Sequence, residues 1–133
     1  MKLSRKRILL LLAVLLFLAG LILAAVYLKS VADYKKAVRE TTFHDVDIRE
    51  VPDGDYVGEY DVDFVYAKVQ VTVRNGAITA IDIREHKNGR GKPAELVADR
   101  MIQEQKIDVD TVSGATSSSI VIKKAVENAL RGR

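Results

Sequence analysis

The sequence predicts an α+β protein, with one N-terminal transmembrane helix followed by one small domain in which helices back an antiparallel sheet. Three patterns support this prediction. Residues 8–28 form an unbroken apolar run, residues 65–83 alternate apolar and polar side chains around an Asn-Gly pair, and the C-terminal third contains two stretches of helical periodicity. Strands that precede the helices, instead of alternating with them, favour α+β over a parallel α/β sheet.

The apolar run is long enough to cross a bilayer, because 21 residues in a helix span about 30 Å. The positive-inside rule places the basic residues before it in the cytoplasm, so the rest of the chain is expected outside. These residues are Lys2, Arg5, Lys6 and Arg7. A cleaved signal peptide is the alternative. Retention as a single-pass anchor in the cell membrane is favoured, since the run is longer than a typical signal core and no clear cleavage site follows.

Charge and cysteine content exclude several classes of protein. The net charge is +3, but the basic start accounts for it, because the chain after residue 28 holds 17 basic and 18 acidic residues. A nearly neutral domain does not indicate nucleic-acid binding. The chain has no cysteine, which excludes disulfides, thiolate-bound iron–sulfur clusters and c-type haem. Any cofactor is therefore expected to be organic.

The chain is expected to have three parts: a basic start and anchor at 1–28, a membrane-proximal helix and connector at 29–52, and one domain at 53–133. Helical spacing at 29–40 predicts the membrane-proximal helix. Residues 41–52 lack a Gly/Ser tract, so they are expected to form a short connector or an edge segment packed on the domain.

A β-hairpin is the clearest structural prediction. Tyr56 and Tyr60 lie in a first strand, and every second residue from 65 to 73 is apolar, as in a half-buried strand. Asn75-Gly76 is the favoured pair for a type I′ turn. The returning strand at 78–84 is expected to place Thr79, Ile81 and Ile83 on one face.

Two helices are predicted after the hairpin. A charged, Gly-containing loop at 85–92 precedes Pro93, which is expected at the first helical position; the buried stripe of this helix comprises Ala94, Val97, Ala98, Met101 and Ile102. A short extended segment at 109–112 leads to the final helix, which is expected to begin near Ser117. Its apolar stripe is Ile122, Val126, Ala129 and Leu130, and Lys123, Lys124, Glu127 and Asn128 are expected to face solvent.

The turn before the final helix reads Asp-Thr-Val-Ser-Gly-Ala-Thr-Ser-Ser-Ser over residues 110–119. Serines at a helix start are good N-caps, and the free amides of a first helical turn can bind a phosphate. Gly114 and Ala115 add little bulk, so the Thr116 hydroxyl is expected to be accessible. The candidate cofactor-binding residues are Asp110, Ser113, Gly114, Ala115, Thr116, Ser117 and Ser118. The alternative is an ordinary polar turn with an N-cap.

At these residues the sequence resembles the FMN-binding domain family, found in flavoprotein subunits of bacterial respiratory sodium pumps and in small membrane-anchored proteins. The resemblance covers residues 53–130, from Asp-Gly-Asp-Tyr through the hairpin to the Ser-Gly-Ala-Thr helix. It implies that FMN is joined through its phosphate to Thr116 as a phosphoester. It also implies a flavin transferase that consumes FAD. Asp110 is expected to be either an acceptor that orients the turn or a contact for that enzyme and its metal.

Other polar residues do not predict a catalytic or metal site. The chain has two histidines and lacks His-x-x-His and His-Glu-x-x-His patterns. His86 is expected to be a polar surface residue at a strand end, and His44 has no partner spacing. Tyr56, Tyr60 and Tyr66 could stack on a flavin ring, but packing is the expected role of strand tyrosines.

The sequence therefore predicts a membrane-anchored electron carrier that relays electrons between a membrane donor and an extracytoplasmic acceptor. Two alternatives remain open. One is a reductase that binds FMN reversibly, and the other is a non-redox interaction module anchored in the membrane.

Overall fold

The computed structural model describes residues 2–44, 46–87 and 92–132. Within these ranges the chain forms helices α1 (Arg5–Glu40), α2 (Leu96–Glu104) and α3 (Thr116–Arg131), and strands β1 (Gly54–Asp61), β2 (Tyr66–Arg74) and β3 (Ala77–Lys87). Short 3₁₀ turns occupy Ile48–Glu50 and Lys92–Glu95. The predicted α+β class, with an N-terminal apolar helix, is confirmed.

The chain divides into two compact units, Met1–Lys35 and Lys36–Arg133. α1 is one continuous helix of 36 residues, so the predicted apolar and membrane-proximal helices are a single element. By length and composition it could cross a membrane. Its large apolar side chains are exposed all round, which is typical of a helix surrounded by lipid.

The sheet of the second unit is antiparallel in the order β1-β2-β3. The turn between β2 and β3 has positive φ at both Asn75 and Gly76, 52° and 72°, as a type I′ turn requires. This confirms the predicted hairpin. The Asn75 amide donates a 2.7 Å hydrogen bond to Asp53 Oδ1, which ties the turn to the residue that precedes β1.

A bulge in β3 changes which residues face the core. The pairing of β2 with β3 shifts between Thr72 and Val73, so Val73 pairs with Ile78. Ile78 is buried, whereas Thr79 is exposed. The prediction that Thr79 lies on one face with Ile81 and Ile83 was therefore wrong, because strict alternation fails where a bulge inserts an extra residue.

α2 begins later than predicted. Pro93 lies in the 3₁₀ turn Lys92–Glu95, and the α-helix starts at Leu96. β3 continues to Lys87, so residues 85–87 are strand and not loop, while residues 88–91 of the predicted loop lie outside the described residues. Of the predicted stripe, Ile102 is half-buried and the rest are buried, namely Ala94, Val97, Ala98 and Met101.

α3 packs on the inner face of β1 and β2 and forms the centre of the core. Its apolar stripe meets the fully buried valines of β2, which are Val69, Val71 and Val73. Gly58 allows the closest approach. A Cβ added at Gly58 would lie 2.2 Å from the Ala125 carbonyl oxygen and 2.3 Å from the Ala129 amide nitrogen. The backbones of strand and helix are thus in direct contact.

Two charged residues of α3 that were expected to face solvent are buried. Lys123 is 3% exposed and Glu127 is fully buried. The Lys123 ammonium donates 2.7 Å hydrogen bonds to Asp108 Oδ1 and to the Val109 carbonyl, and it lies 4.6 Å from the centre of the Phe43 ring. Irregular segments on either side of α3 cover these residues, which helical periodicity alone does not reveal.

Glu127 fastens the connector to α3. Its Oε1 accepts the His44 amide at 3.0 Å and lies 3.2 Å from His44 Nδ1, so the partner of His44 is a residue far away in the sequence, which spacing could not indicate. Lys124 donates to Glu127 Oε2 at 2.9 Å and to the Thr42 carbonyl at 2.7 Å. The connector is therefore packed on the domain, and its residues Ile48 and Val51 are buried.

Burial alone would raise the pKa of Glu127, but hydrogen bonds from Lys124, the His44 amide and Arg131 outweigh it and lower the pKa below 4.5. A lowered carboxyl pKa stabilises the fold above the unfolded-state pKa. That contribution is lost as pH falls through the folded-state pKa.

We expect Gly58→Ala to destabilise the protein by about 1–3 kcal/mol, because the added methyl group overlaps the α3 backbone, which cannot move aside without disturbing the core. Urea unfolding of the detergent-solubilised chain measures this. Gly54→Ala is the matched control, since its Cβ would meet only the end of the Tyr56 side chain. Equal stability of the two variants would contradict the close packing.

We expect Glu127→Gln to destabilise the protein by about 1.5–3 kcal/mol at pH 7, because it removes a charged hydrogen-bond acceptor. The deficit should shrink as pH falls below about 4.5, where wild-type Glu127 begins to lose its own contribution. Unfolding at a series of pH values measures both effects. Glu104→Gln, an exposed glutamate paired with Lys106, is the control and should change little. A deficit that does not vary with pH would argue against an ionised Glu127.

Candidate functional site

The candidate residues lie together in one turn that leads into α3. Asp110, Ser113, Gly114 and Thr116 are exposed, Ser117 is half-buried, and Ala115 and Ser118 are buried. They lie together because they are close in the sequence. Which of them reach solvent depends on the fold. Thr116 is the first residue of α3, and it is exposed.

The turn itself depends on Gly114. The Ala115 amide donates to the Val112 carbonyl at 3.0 Å, which closes a four-residue turn over 112–115. Gly114 is its third residue and has φ of 79°, a conformation that glycine adopts without strain. A Cβ at Gly114 would meet nothing within 4 Å among the described residues, so the space beside the turn is open.

The serines do not cap α3 as predicted. The helix begins at Thr116, one residue early, and Ala115 occupies the N-cap position. Alanine has no side-chain acceptor for the first amides. Ser119, which was expected to help cap the helix, instead accepts the Val112 amide at 3.0 Å and donates to the Ala115 carbonyl at 2.8 Å. The prediction failed because burial directs this hydroxyl inward, toward the preceding turn.

The first amides of α3 are therefore available to a ligand. The first i→i−4 bond joins the Ser119 amide to the Ala115 carbonyl, so the amides of residues 116–118 have no acceptor within the helix. These amides and the positive end of the helix dipole favour an anion. An exposed threonine hydroxyl, open space beside Gly114 and amides that have no acceptor within the helix fit a phosphate group beside Thr116.

Residues 108–112, which lead into the turn, are irregular rather than strand. Their backbone polar groups are bound by side chains of α2 and α3. Lys123 binds the Val109 carbonyl, and Arg100 NH1 donates to the carbonyls of Asp110 and Thr111, at 3.0 Å each. The Asp110 carbonyl is thus bound by a residue of α2, whereas Asp110 itself is exposed. Arg100 and Lys123 were not among the sequence candidates, because nothing in their spacing indicates what they bind.

His86 differs from its prediction. Its side chain is 4% exposed, and its Nδ1 lies 3.9 Å from Glu95 Oε2. Burial lowers the pKa of His86, although Glu95 opposes this effect. Glu95 belongs to the 3₁₀ turn that packs against α3. His86 is therefore a buried residue at the end of β3, not a surface residue.

The strand tyrosines are half-buried and form local hydrogen bonds. Tyr56 donates to the Pro52 carbonyl and Tyr60 pairs with Thr41. Tyr66 donates to Glu59 Oε2 at 2.7 Å, and this bond to a carboxylate raises the pKa of Tyr66 to about 12.

Comparison with known proteins agrees with the geometry. The model of the FMN-binding domain family matches residues 66–131. Curated proteins and solved structures give no significant match. The matched region begins at β2, so β1 lies before it, and it includes the whole candidate turn and α3. The chain thus contains a domain of the FMN-binding domain family over residues 66–131, with FMN as its cofactor.

Proposed function

We propose that this protein is a membrane-anchored extracytoplasmic flavoprotein that relays electrons through an FMN joined by a phosphoester to Thr116. The observation that carries this proposal is an exposed threonine hydroxyl at the first residue of α3, within a domain whose cofactor is FMN. The flavin supplies the redox chemistry, and the protein supplies attachment and orientation.

Exposure favours Thr116 over the other hydroxyls of the turn. Ser118 and Ser119 are buried, and the Ser119 hydroxyl already bonds two backbone groups. Ser113 is exposed, but it lies before Gly114 and outside the helix. Thr116 combines exposure with a place at the unpaired amides, where the negative charge of a phosphodiester is stabilised by about 0.3–1 kcal/mol.

Attachment requires a flavin transferase and FAD. The Thr116 Oγ attacks the FMN-side phosphorus of the FAD pyrophosphate. A bond forms between this oxygen and phosphorus, the bond to the bridging oxygen breaks, AMP leaves, and the hydroxyl proton passes to a base. No oxidation state changes in this step. Once attached, the phosphate stays beside the amides of residues 116–118, where Ser113 and Ser117 can contact it, and Asp110 remains exposed for the transferase and its metal.

The helix α1 supports a membrane location. It is long and apolar enough to cross the bilayer, and the basic cluster before it favours a cytoplasmic N-terminus. The flavin domain then lies outside, where a dissociated cofactor would be lost, so a covalent link is advantageous. A membrane-bound donor and an extracytoplasmic acceptor are the expected partners.

We expect protein co-expressed with a flavin transferase to gain the mass of FMN less one water and to fluoresce in a denaturing gel. Thr116→Ala should abolish both signals because the nucleophile is absent, and Thr116→Ser should keep them. Thr42→Ala is the control, since Thr42 is exposed and the bond from Lys124 is to its backbone carbonyl. If flavin is bound by both Thr116→Ala and the wild type and is released from both on denaturation, the result would instead support reversible binding. Colourless wild-type protein with no affinity for FMN would support the interaction module.

We expect the domain to face the extracytoplasmic side. The chain has no cysteine, so single cysteines report topology without background. In intact cells, Thr79→Cys should react with a membrane-impermeant maleimide, and Ser4→Cys should react only after the membrane is permeabilised. Reaction of Ser4→Cys alone in intact cells would reverse the proposed topology, and release of the domain into the medium would indicate a cleaved signal.

A further inference from the structure

We propose that Arg100 and Ser119 are positioning residues for flavin attachment: they hold the turn in its reactive conformation before the transferase binds. This inference rests on the proposed function, because it concerns how Thr116 is presented. It assigns roles to two residues that lie outside the Ser-Gly-Ala-Thr sequence.

The need for such residues comes from the irregular backbone before the turn. Buried or half-buried peptide groups require hydrogen-bond partners, and the buried or half-buried residues 109, 111 and 112 obtain none from a strand or helix ladder; residue 110 between them is exposed. Side chains of α2 and α3 supply hydrogen-bond partners along this segment. Lys123 binds the carbonyl of Val109, Arg100 binds those of Asp110 and Thr111, and Ser119 binds the amide of Val112.

Arg100 fixes the direction of two consecutive carbonyls. One guanidinium nitrogen, NH1, donates to both at 3.0 Å. The two peptide planes are therefore held relative to each other and to α2. A flexible backbone here would let residues 113–116 rotate as a group. Arg100 is half-buried and lies on α2, whose inner face is buried, so the position of its guanidinium group is restricted.

Ser119 joins the two ends of the turn to α3. Its hydroxyl is fully buried, accepts the Val112 amide and donates to the Ala115 carbonyl. Val112 and Ala115 are the first and last residues of the glycine turn, and Thr116 follows directly. The bridge therefore sets where the Thr116 hydroxyl emerges from the helix.

A preformed turn changes the attachment reaction in a measurable way. Ordering of the turn takes place during folding, so the transferase meets the nucleophile already oriented. Small misplacement of a reacting group can lower a rate by up to about a hundredfold. Loss of either support should therefore slow attachment in a protein that is still folded.

The test measures the initial rate of FMN incorporation by intact mass, with full-length protein in detergent, purified transferase, its metal ion and FAD. We expect Ser119→Ala and Arg100→Gln each to lower kcat/KM about ten- to hundredfold. Arg100→Lys should recover part of the rate, because an ammonium can still reach a carbonyl. The controls are Ser30→Ala, a helix serine with the same bond to the carbonyl four residues before it, and Arg84→Gln, an arginine of β3; both should load at the wild-type rate.

A second readout separates positioning from general stability. Assays are run well below the unfolding temperature of every variant. Amide hydrogen exchange should then rise at 110–116 in Ser119→Ala and Arg100→Gln and stay unchanged in β2 and β3. Folded variants that load at the wild-type rate would overturn the inference, as would a slow rate with unchanged exchange at the turn. If Ser119→Ala does not fold, Arg100→Gln decides alone. Failure of the wild type to load would instead count against the proposed function.

Discussion

The direct contact between α3 and β1 at Gly58 is the constraint on which the domain depends. A helix can lie this close to a strand only where the strand residue has no side chain, and the helix presents Ala125 and Ala129 at the same place. This contact buries the apolar stripe of α3 against the valines of β2. The position of α3 in turn fixes where its first residue, Thr116, reaches the surface.

Irregular segments cover the sides of α3, and side chains of α3 hold these segments in place. Lys123 and Glu127 are charged and buried, which is costly unless every charge is paired and hydrogen-bonded. Each residue meets that condition by binding a segment that has no regular structure of its own. Lys123 binds the segment that enters the turn, and Glu127 binds the connector at His44. The same helix therefore supports the candidate site at one end and the connector further along.

Local patterns predicted the parts of this protein whose structure is local. The Asn75-Gly76 turn followed from the φ values that these residues tolerate, and the bend at Gly114 from the conformational freedom of glycine. Helical spacing found α2 and α3 but not their first residues. It also misassigned Lys123 and Glu127, since a helix covered on several sides has no simple polar face. The bulge near Thr72 had no signal in the alternation of β3.

By itself, the sequence determined the fold class, the apolar helix and the turn with its threonine, because each depends on residues close together in the chain. Only the tertiary structure decided which hydroxyls are exposed and which side chains hold residues 109–112. Arg100, Ser119 and Lys123 act on backbone groups 7–14 residues away along the chain. Those contacts exist only after the segment has packed against α2 and α3, since a hydrogen bond across such a distance requires the chain to fold back onto the helix that carries the side chain.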